Sequence, residues 1–558
     1  MVGRSFFLLF LCGWVNGSLL AAETGFQAEF SKWLTLGRIP GLRYESLLDV
    51  VKPLASIYSA ASPQPVWLRD GRPSAQAKSM VEMLGRSEDL GLRREDYDLP
   101  FLQDRLRMFS QGPLAVQEAS RFDLVLTVSS LRFLRHVSVG HVQPRAVGFN
   151  IEPRRIDGAF ELRRIILGES PRKVVMELEP NFPIYKPLKE ALKRYRLLAR
   201  ELPRPRFGFP LLFRPGMQHQ DVPALRKLLT ALGDLPSFTA KDQRAELYDP
   251  VLAGAVKAFQ MRHGILDDGV IGQATLKRLS TPIADRLKQI ELGLERLRWL
   301  PADIKGYYLI VNIPAFKLYG ARAGEGLGQH DLMMNVVVGE AMDGRATPVF
   351  RSDMTMVTFR PYWNVPEAIA VKELVPEFLL HPERMEARSM EIVPDFSLKS
   401  VALESNEANL KKVLAGQLKL RQRPSEENAL GLFKFSFPNT SNVYLHSTPA
   451  KNLFSRDRRD FSHGCIRVQD PLRLAEWVLE ENGDWPQDRI EAFAHGDQTK
   501  TIPLKRPIPV FILYSTVMAD QAGRISFFED IYGHDRTLQV LLAKGPPYLP
   551  VASVPSRP

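Results

Sequence analysis

The periodicity of the apolar residues changes once along this chain, near residue 306, and that change limits the folds open to it. Before it, apolar residues recur at helical spacing. "RFDLVLTVSSLRFLRHVSVGHVQP" sets Phe122, Val125, Leu126, Leu131, Leu134 and Val137 along one stripe, with Gly140 and Pro144 as stop signals. After it, "GYYLIVNIPAFKLYG", "DLMMNVVVGE", "DMTMVTFRPYW", "NVYLHST" and "IPVFILYSTV" are short, rich in β-branched and aromatic residues, and bounded by Gly, Pro or Asn. The fold class is therefore α+β and multidomain: helices first, then a β-rich domain built as a mixed sheet or sandwich. A length of 558 residues agrees, since it exceeds what one core accommodates.

Boundaries follow from composition. Residues 26–205 read as a mostly helical scaffold that ends in a Pro- and Arg-rich linker. Residues 212–282 read as a three-helix module. In it Asp221 precedes one helix as a cap, Asp249 caps a second with Pro250 at its first position, and Gly264 ends that helix. Leu252, Ala255, Val256 and Phe259 form its buried stripe. The β-rich domain spans 306–540. From about 368 to 430 it is interrupted by a charged, helical insertion, of a size that often serves as a lid. The tail, 545–558, reads as disordered. At the other end, residues 1–22 carry Arg4, an apolar run from Phe6 to Val15, and Ala21 and Ala22. That is a secretory signal in outline, too short for a comfortable membrane span. Leu20 is a poor fit to the cleavage site, so a cleaved signal and an uncleaved anchor both remain open.

Export gives the cysteine count its meaning. The chain has two cysteines, Cys12 inside the signal and Cys465, so the mature chain holds one thiol with no internal partner. Exported proteins usually pair their cysteines, and a leftover one is either a reactive thiol or a small buried hydrophobe. A reactive thiol needs a base or a cation, because the thiolate is the nucleophile. Two histidines are placed for this: His463, two residues earlier, and His446 in "NVYLHSTPA", 19 positions before Cys465. Gly464 permits close backbone approach, so that amides around Cys465 can form an oxyanion hole. No zinc-ligand spacing is found among the ten histidines, and no cofactor or metal is expected. A net charge of +11 favours an acidic partner such as anionic lipid or a carboxylate-rich cell wall. Nucleic acid is excluded for an exported chain with no recognition motif.

Two resemblances sharpen this. "AVKAFQ", "HGI", "DGVIG" and "TLKRL" together resemble the peptidoglycan-binding module found beside many wall hydrolases and transferases. "YLHST" followed by "SHGCIRV" resembles the L,D-transpeptidase catalytic domain. "LERLRWLP", "GRATPVF" and "RPYWNVPEAI" are similar to its large Gram-negative subgroup, which joins a scaffold, a wall-binding module and a catalytic domain with a capping insertion. The resemblance implies that Cys465 is the nucleophile and His446 takes its proton, with the ring oriented by the backbone carbonyl of Ser447. It implies oxyanion-hole amides from Gly464 and Cys465, with Tyr444 placed to add a phenol donor. Arg467 matches an arginine that supports the site or binds a substrate carboxylate, a structural ion pair being the other reading. Trp363 and Asn364 shape the cleft, and His463 is structural or supporting. Where many members carry an asparagine after the arginine, this chain has Gln469 and Asp470.

The implied activity is acyl transfer from a tetrapeptide stem, releasing D-Ala, to an amine of a second stem. Water as acceptor would make the site a carboxypeptidase, and a lipoprotein lysine would make it an anchoring enzyme. A wall-binding scaffold without turnover is the alternative from another class. The implied partners are peptidoglycan stems and glycan, with the inner-membrane surface as a further candidate, in the periplasm of a Gram-negative bacterium.

Overall fold

The computed structural model describes residues 25–58, 63–202, 204–236, 246–301, 304–323, 332–342, 344–520 and 522–546. The signal expected at 1–22, Cys12 and all but the first two residues of the expected tail lie outside these. Among the described residues, no helix is long and apolar enough to cross a membrane.

The first body is built around the helix Val116–Val139, buried on nearly every side. Helices Ala75–Gly85, Leu99–Gln111, Gly158–Ile166 and Pro171–Leu178 surround it and share one apolar core. The polar residues inside that helix have local uses. Asp123 accepts the backbone N–H groups of Val66 and Trp67 at 3.1 and 2.8 Å and the Tyr58 hydroxyl at 2.6 Å, fixing the segment before a small hairpin of β1 (Leu68–Arg69) and β2 (Arg72–Pro73).

Helices Val222–Leu232, Pro250–Arg262 and Gln273–Leu279 make the three-helix module. Asp249 caps as expected, accepting the Leu252 N–H at 2.8 Å behind Pro250. Asp221 does not cap. Its backbone is already helical, at φ −87° and ψ −3°, and its carboxylate accepts the Gly208 N–H at 2.5 Å instead. The module shares a continuous core with the β-rich domain. Arg262 donates to the Ile525 carbonyl at 2.8 Å, and Lys277 and Arg278 meet Glu529 at 3.0 and 3.3 Å. The helix Tyr185–Glu201 joins that core too, packed against Ile283–Leu297.

The β-rich domain contains β3 (Tyr307–Asn312), β4 (Lys317–Arg322), β5 (Leu332–Gly339), β6 (Phe350–Phe359), β10 (Phe433–Ser436), β11 (Leu445–His446), β12 (Asp460–Ser462), β13 (Ile466–Val468) and β14 (Lys500–Leu513). They form one mixed sheet in the order β12-β5-β13-β11-β10-β6-β14-β3-β4, and a further pairing of β4 with β5 closes it on itself. A hairpin of β15 (Val517–Ala519) and β16 (Ile525–Phe527) follows. The insertion differs from the helical segment expected. Its helices, among them Val375–Leu380 and Glu407–Leu414, pack on a three-stranded sheet of β7 (Trp363–Asn364), β9 (Lys419–Gln422) and β8 (Met390–Val393). Val375, Phe378, Ile392, Leu410 and Leu420 give it a core of its own. Strands of two to four residues within a charged segment are too short to show a period-2 pattern.

Candidate active site

Three short strands assemble the site. β11 lies between β10 and β13, antiparallel to the first and parallel to the second. In that register Lys434 stands opposite His446, and His446 stands beside Arg467, so the row Lys434–His446–Arg467 crosses three strands. The Ile466 N–H donates to the Tyr444 carbonyl at 3.1 Å, which fixes "YLH" against "CIR" and brings Tyr444 alongside Cys465.

His446 is buried, and its Nδ1–H donates to the Ser447 carbonyl at 2.5 Å. That bond selects the tautomer with Nε2 free to accept a proton. Burial is the main cause that depresses the imidazole to a pKa of about 3, and the Arg467 and Lys434 charges add to it against the Ser447 and Leu430 carbonyls. The ring is therefore neutral at physiological pH. Gly431 secures the carbonyl that holds it. Its φ is +60°, and a Cβ there would lie 2.4 Å from Ser447 Oγ and 2.9 Å from the Thr448 nitrogen.

Cys465 is half-buried, with Sγ 3.7 Å from the Asn442 carbonyl oxygen. Burial pushes its thiol up. The backbone N–H and phenol of Tyr444 and the charges of Lys434 and Arg467 pull it down, and burial prevails. The thiol and the His446 imidazole share no hydrogen bond in this conformation, although β11 carries one and the loop just before its neighbour β13 carries the other. Catalytic hydrogen bonds in an unliganded site commonly tighten only once substrate is bound.

The loop that carries Cys465 is tied down from several sides. Gly464 adopts φ +113°, and its carbonyl accepts the Thr347 hydroxyl at 2.8 Å, while Thr347 Oγ1 accepts the Gly339 N–H at 2.8 Å. Ser462 Oγ accepts the Gly464 N–H at 3.2 Å and donates to the Cys465 carbonyl at 2.5 Å. The Gly464 amide expected to face an oxyanion is thus engaged within its own loop.

The remaining residues fall into place around this. Arg467 pairs with no carboxylate among the described residues, and its buried Nε has no hydrogen-bond partner. His463 reaches away from the thiol: its Nε2 meets Glu373 Oε1 of the insertion at 2.9 Å, and Arg345 meets the same oxygen at 2.8 Å. Trp363 packs on the insertion's core, whereas Asn364 lines a cavity of about 480 Å³ between the insertion and the sheet. Lys434, Asn442 and Tyr444 line that cavity from the sheet side.

Sequence reasoning missed Lys434 and Gly431. Lys434 sits in "FKFS", where alternation with buried Phe433 and Phe435 places it on the opposite face of the strand, but only the register sets it against His446. Nothing in the sequence marks Gly431 except its being a glycine ahead of a strand.

A closed mixed sheet with one unpaired cysteine beside a buried histidine, docked on a small helical module, defines a thiol-centred domain. Comparison with known families gives its kind. Residues 306–508 match the family of the L,D-transpeptidase catalytic domain, 218–279 the "Putative peptidoglycan binding domain", and 52–192 a scaffold domain. The chain thus carries an L,D-transpeptidase catalytic domain joined to a peptidoglycan-binding domain and a scaffold. It is 30% identical over 257 residues to a "Putative L,D-transpeptidase" of Haemophilus influenzae, covering 45% of this chain and 49% of that one. It is 30% identical over 190 residues to the N-acetylmuramoyl-L-alanine amidase CwlM of Mycobacterium tuberculosis, covering 31% and 45%. The chain spans about half the length of the curated relatives it matches. Among solved structures, an L,D-transpeptidase from Xylanimonas cellulosilytica is 16% identical, covering 55% of this chain and 100% of that one at a TM-score of 0.18. One from Stackebrandtia nassauensis is 14% identical, covering 56% and 96% at a TM-score of 0.22. Superpositions this loose carry no structural argument.

Proposed function

We propose that the chain is a peptidoglycan L,D-transpeptidase acting outside the cytoplasm, in the periplasm of a Gram-negative bacterium. The observation that carries this reading is the placement of Cys465 between the two donors of Tyr444 and the cationic row, in a domain whose core continues into the peptidoglycan-binding module. The thiol sulfur attacks the carbonyl of the third stem residue, and its proton passes to Nε2 of His446. Because the resting imidazole is so weak a base, this transfer accompanies formation of the C–S bond rather than preceding it. The Cys465 amide and the Tyr444 phenol donate to the oxyanion, since the Gly464 amide is held by Ser462. The C–N bond to D-Ala then breaks, its amine takes the proton from His446, and a thioester remains. An amine of a second stem attacks the thioester and loses a proton to His446, the C–S bond breaks, and the departing Cys465 thiolate takes that proton back, leaving a cross-link between two third-position residues. Water or a lipoprotein lysine at that second step would give the carboxypeptidase or anchoring activity from the same site.

Intact-protein mass spectrometry after exposure to a carbapenem or to a tetrapeptide stem tests the reading. The expected result is one adduct per chain that is absent from Cys465→Ala, with wall binding kept by that variant. An unmodified Cys465 under both reagents would leave wall binding as the chain's role.

A further inference from the structure

We propose that Lys434 is the donor-site residue that binds the terminal carboxylate of the acyl-donor peptide, in the cavity between the sheet and the insertion. This rests on the transpeptidase reading of the site, and it adds a recognition group that neither the family match nor the motif around Cys465 supplies.

Three observations place the ammonium there. First, its strand register is fixed. Lys434 is the cross-strand partner of His446, and its Nζ sits 4.2 Å from the centroid of the Tyr444 ring. Second, Lys434 is half-buried and pairs with no carboxylate among the described residues, so its charge is held by an aromatic face alone. An ammonium in that position is costly to keep unless an anion joins it. Third, it lines the cavity of about 480 Å³, together with Lys419 from the insertion and Glu367 as the acidic residue of the lining. That leaves the lining with one more cation than anions. Arg467 flanks His446 on the other side of the row and does not line the cavity, so Lys434 is the cation of the row that faces it.

The chemistry of the donor matches this placement. In a peptide whose last residue is the leaving group, the terminal carboxylate carbon is three bonds from the attacked carbonyl carbon. It therefore lies within about 4 Å of it, roughly one residue's reach. A carbonyl brought to Cys465 with its leaving residue on the Tyr444 side carries its carboxylate into the adjoining cavity. Tyr444 and Asn442, which both touch the thiol, form the floor between them. Lys434 and Cys465 also feel each other's charge: the ammonium lowers the thiol, and the thiolate raises the ammonium against its burial. A carboxylate and a thiolate would thus be served by one cation. Departure of D-Ala removes that carboxylate and opens the cavity to the acceptor.

Binding measured without chemistry tests this. Full-length Cys465→Ala protein, with and without Lys434→Met or Lys434→Arg, is titrated by calorimetry with a synthetic tetrapeptide stem ending in D-Ala. The peptide is used once as the free carboxylate and once as the carboxamide. The expected result is at least tenfold tighter binding of the carboxylate form when Lys434 is present. The ratio should fall near one in Lys434→Met and recover in Lys434→Arg. A ratio unchanged by Lys434→Met, or no preference for the carboxylate with Lys434 in place, overturns the proposal, as does failure of both peptides to bind. Thioester formation on unmodified Cys465, read separately by mass, keeps the two ideas apart. Its absence with the ratio intact sinks the transfer reading and spares the carboxylate site, and the reverse pattern sinks only the site.

Discussion

Gly431 carries no functional atom, yet the setting of the His446 ring depends on it. Its left-handed backbone and the 2.4 Å approach a Cβ would make to Ser447 keep the Ser447 carbonyl under the His446 ring. Gly431→Ala should slow acylation of Cys465 by a carbapenem at least tenfold and cost about 1–3 kcal/mol of stability, read by stopped-flow kinetics and denaturant unfolding. An unchanged rate would mean that the carbonyl is held by something else. The titration of the pair gives a second expectation. His446 is depressed to about 3, so it loses no proton between pH 5 and 8, while burial holds the thiol above its ordinary value. Thiolate is then scarce at neutral pH and grows as pH rises. Because the attack is by the neutral thiol with its proton passing to neutral His446, the acylation rate should stay nearly level between pH 5 and 8, with no inflection near 6.5, and rise only as pH approaches the raised thiol value. A plateau beginning near 6.5 would show the histidine to be charged in the resting site.

At the scale of elements, the insertion meets the loop that carries Cys465 through Glu373, which sits in a short π-helical turn at Ala370–Leu374 and receives both His463 and Arg345. All three side chains are half-exposed, so the contact is worth at most about 1 kcal/mol. It should govern motion more than stability. Glu373→Ala is expected to raise hydrogen exchange in the first turns of the insertion and around His463, while leaving the melting temperature nearly unchanged; exchange identical to the unsubstituted protein would deny the contact that role. The elements also show why some of the design was legible in sequence and some not. The strand carrying His446 announced itself through the run "NVYLHST", and Asp249 through its cap and following proline. Lys434 gained its place from pairing with a residue 12 positions away, and the insertion's sheet from pairing β9 with β7 across more than 50 residues. Pairings of that kind leave no local trace. Asp221 had the right residue type for a cap and the wrong backbone angles, which local pattern does not reveal.

Across the whole molecule, a buried charge network ties the scaffold to the helix that leads into the catalytic domain. His141 lies 3.5 Å from Asp96 and 3.3 Å from Glu295, stacks on His136, and Glu295 also accepts from Arg298 at 3.4 Å. Burial opposes every charge here, but hydrogen bonds and Coulomb attraction from the partners outweigh it. They raise His141 above 6.5 and lower Glu295 below 4.5. The His141 contribution is complete below 6.5 and fades as pH rises through its higher folded value. That of Glu295 is complete above 4.5 and fades as pH falls through its lower folded value. Both are full between 4.5 and 6.5, whereas burial lowers His136, His263, His446 and His534 and so takes stability away as pH falls below 6.5; the network's own share is read as the difference between the protein and a variant that lacks it. Glu295→Gln, which leaves His141 and Arg298 poorly paired, should cost about 3–5 kcal/mol, with the loss largest between pH 4.5 and 6.5; denaturant unfolding of both proteins at a series of pH values checks it.

The main sheet also sets when the protein can begin to act. β14 fills the gap between β6 and β3, yet its parallel partner β3 precedes it by nearly 200 residues and it is the last strand of that sheet in the chain. A chain that emerges from its N-terminal end carries Cys465 and His446 out before the strand that completes the sheet around them. Pairings between such distant segments form slowly, and the waiting intermediate exposes apolar β6 and β3 edges to any neighbour. The Cys465 thiol therefore emerges into an unfinished sheet, which is completed only when Lys500–Leu513 has emerged and docked.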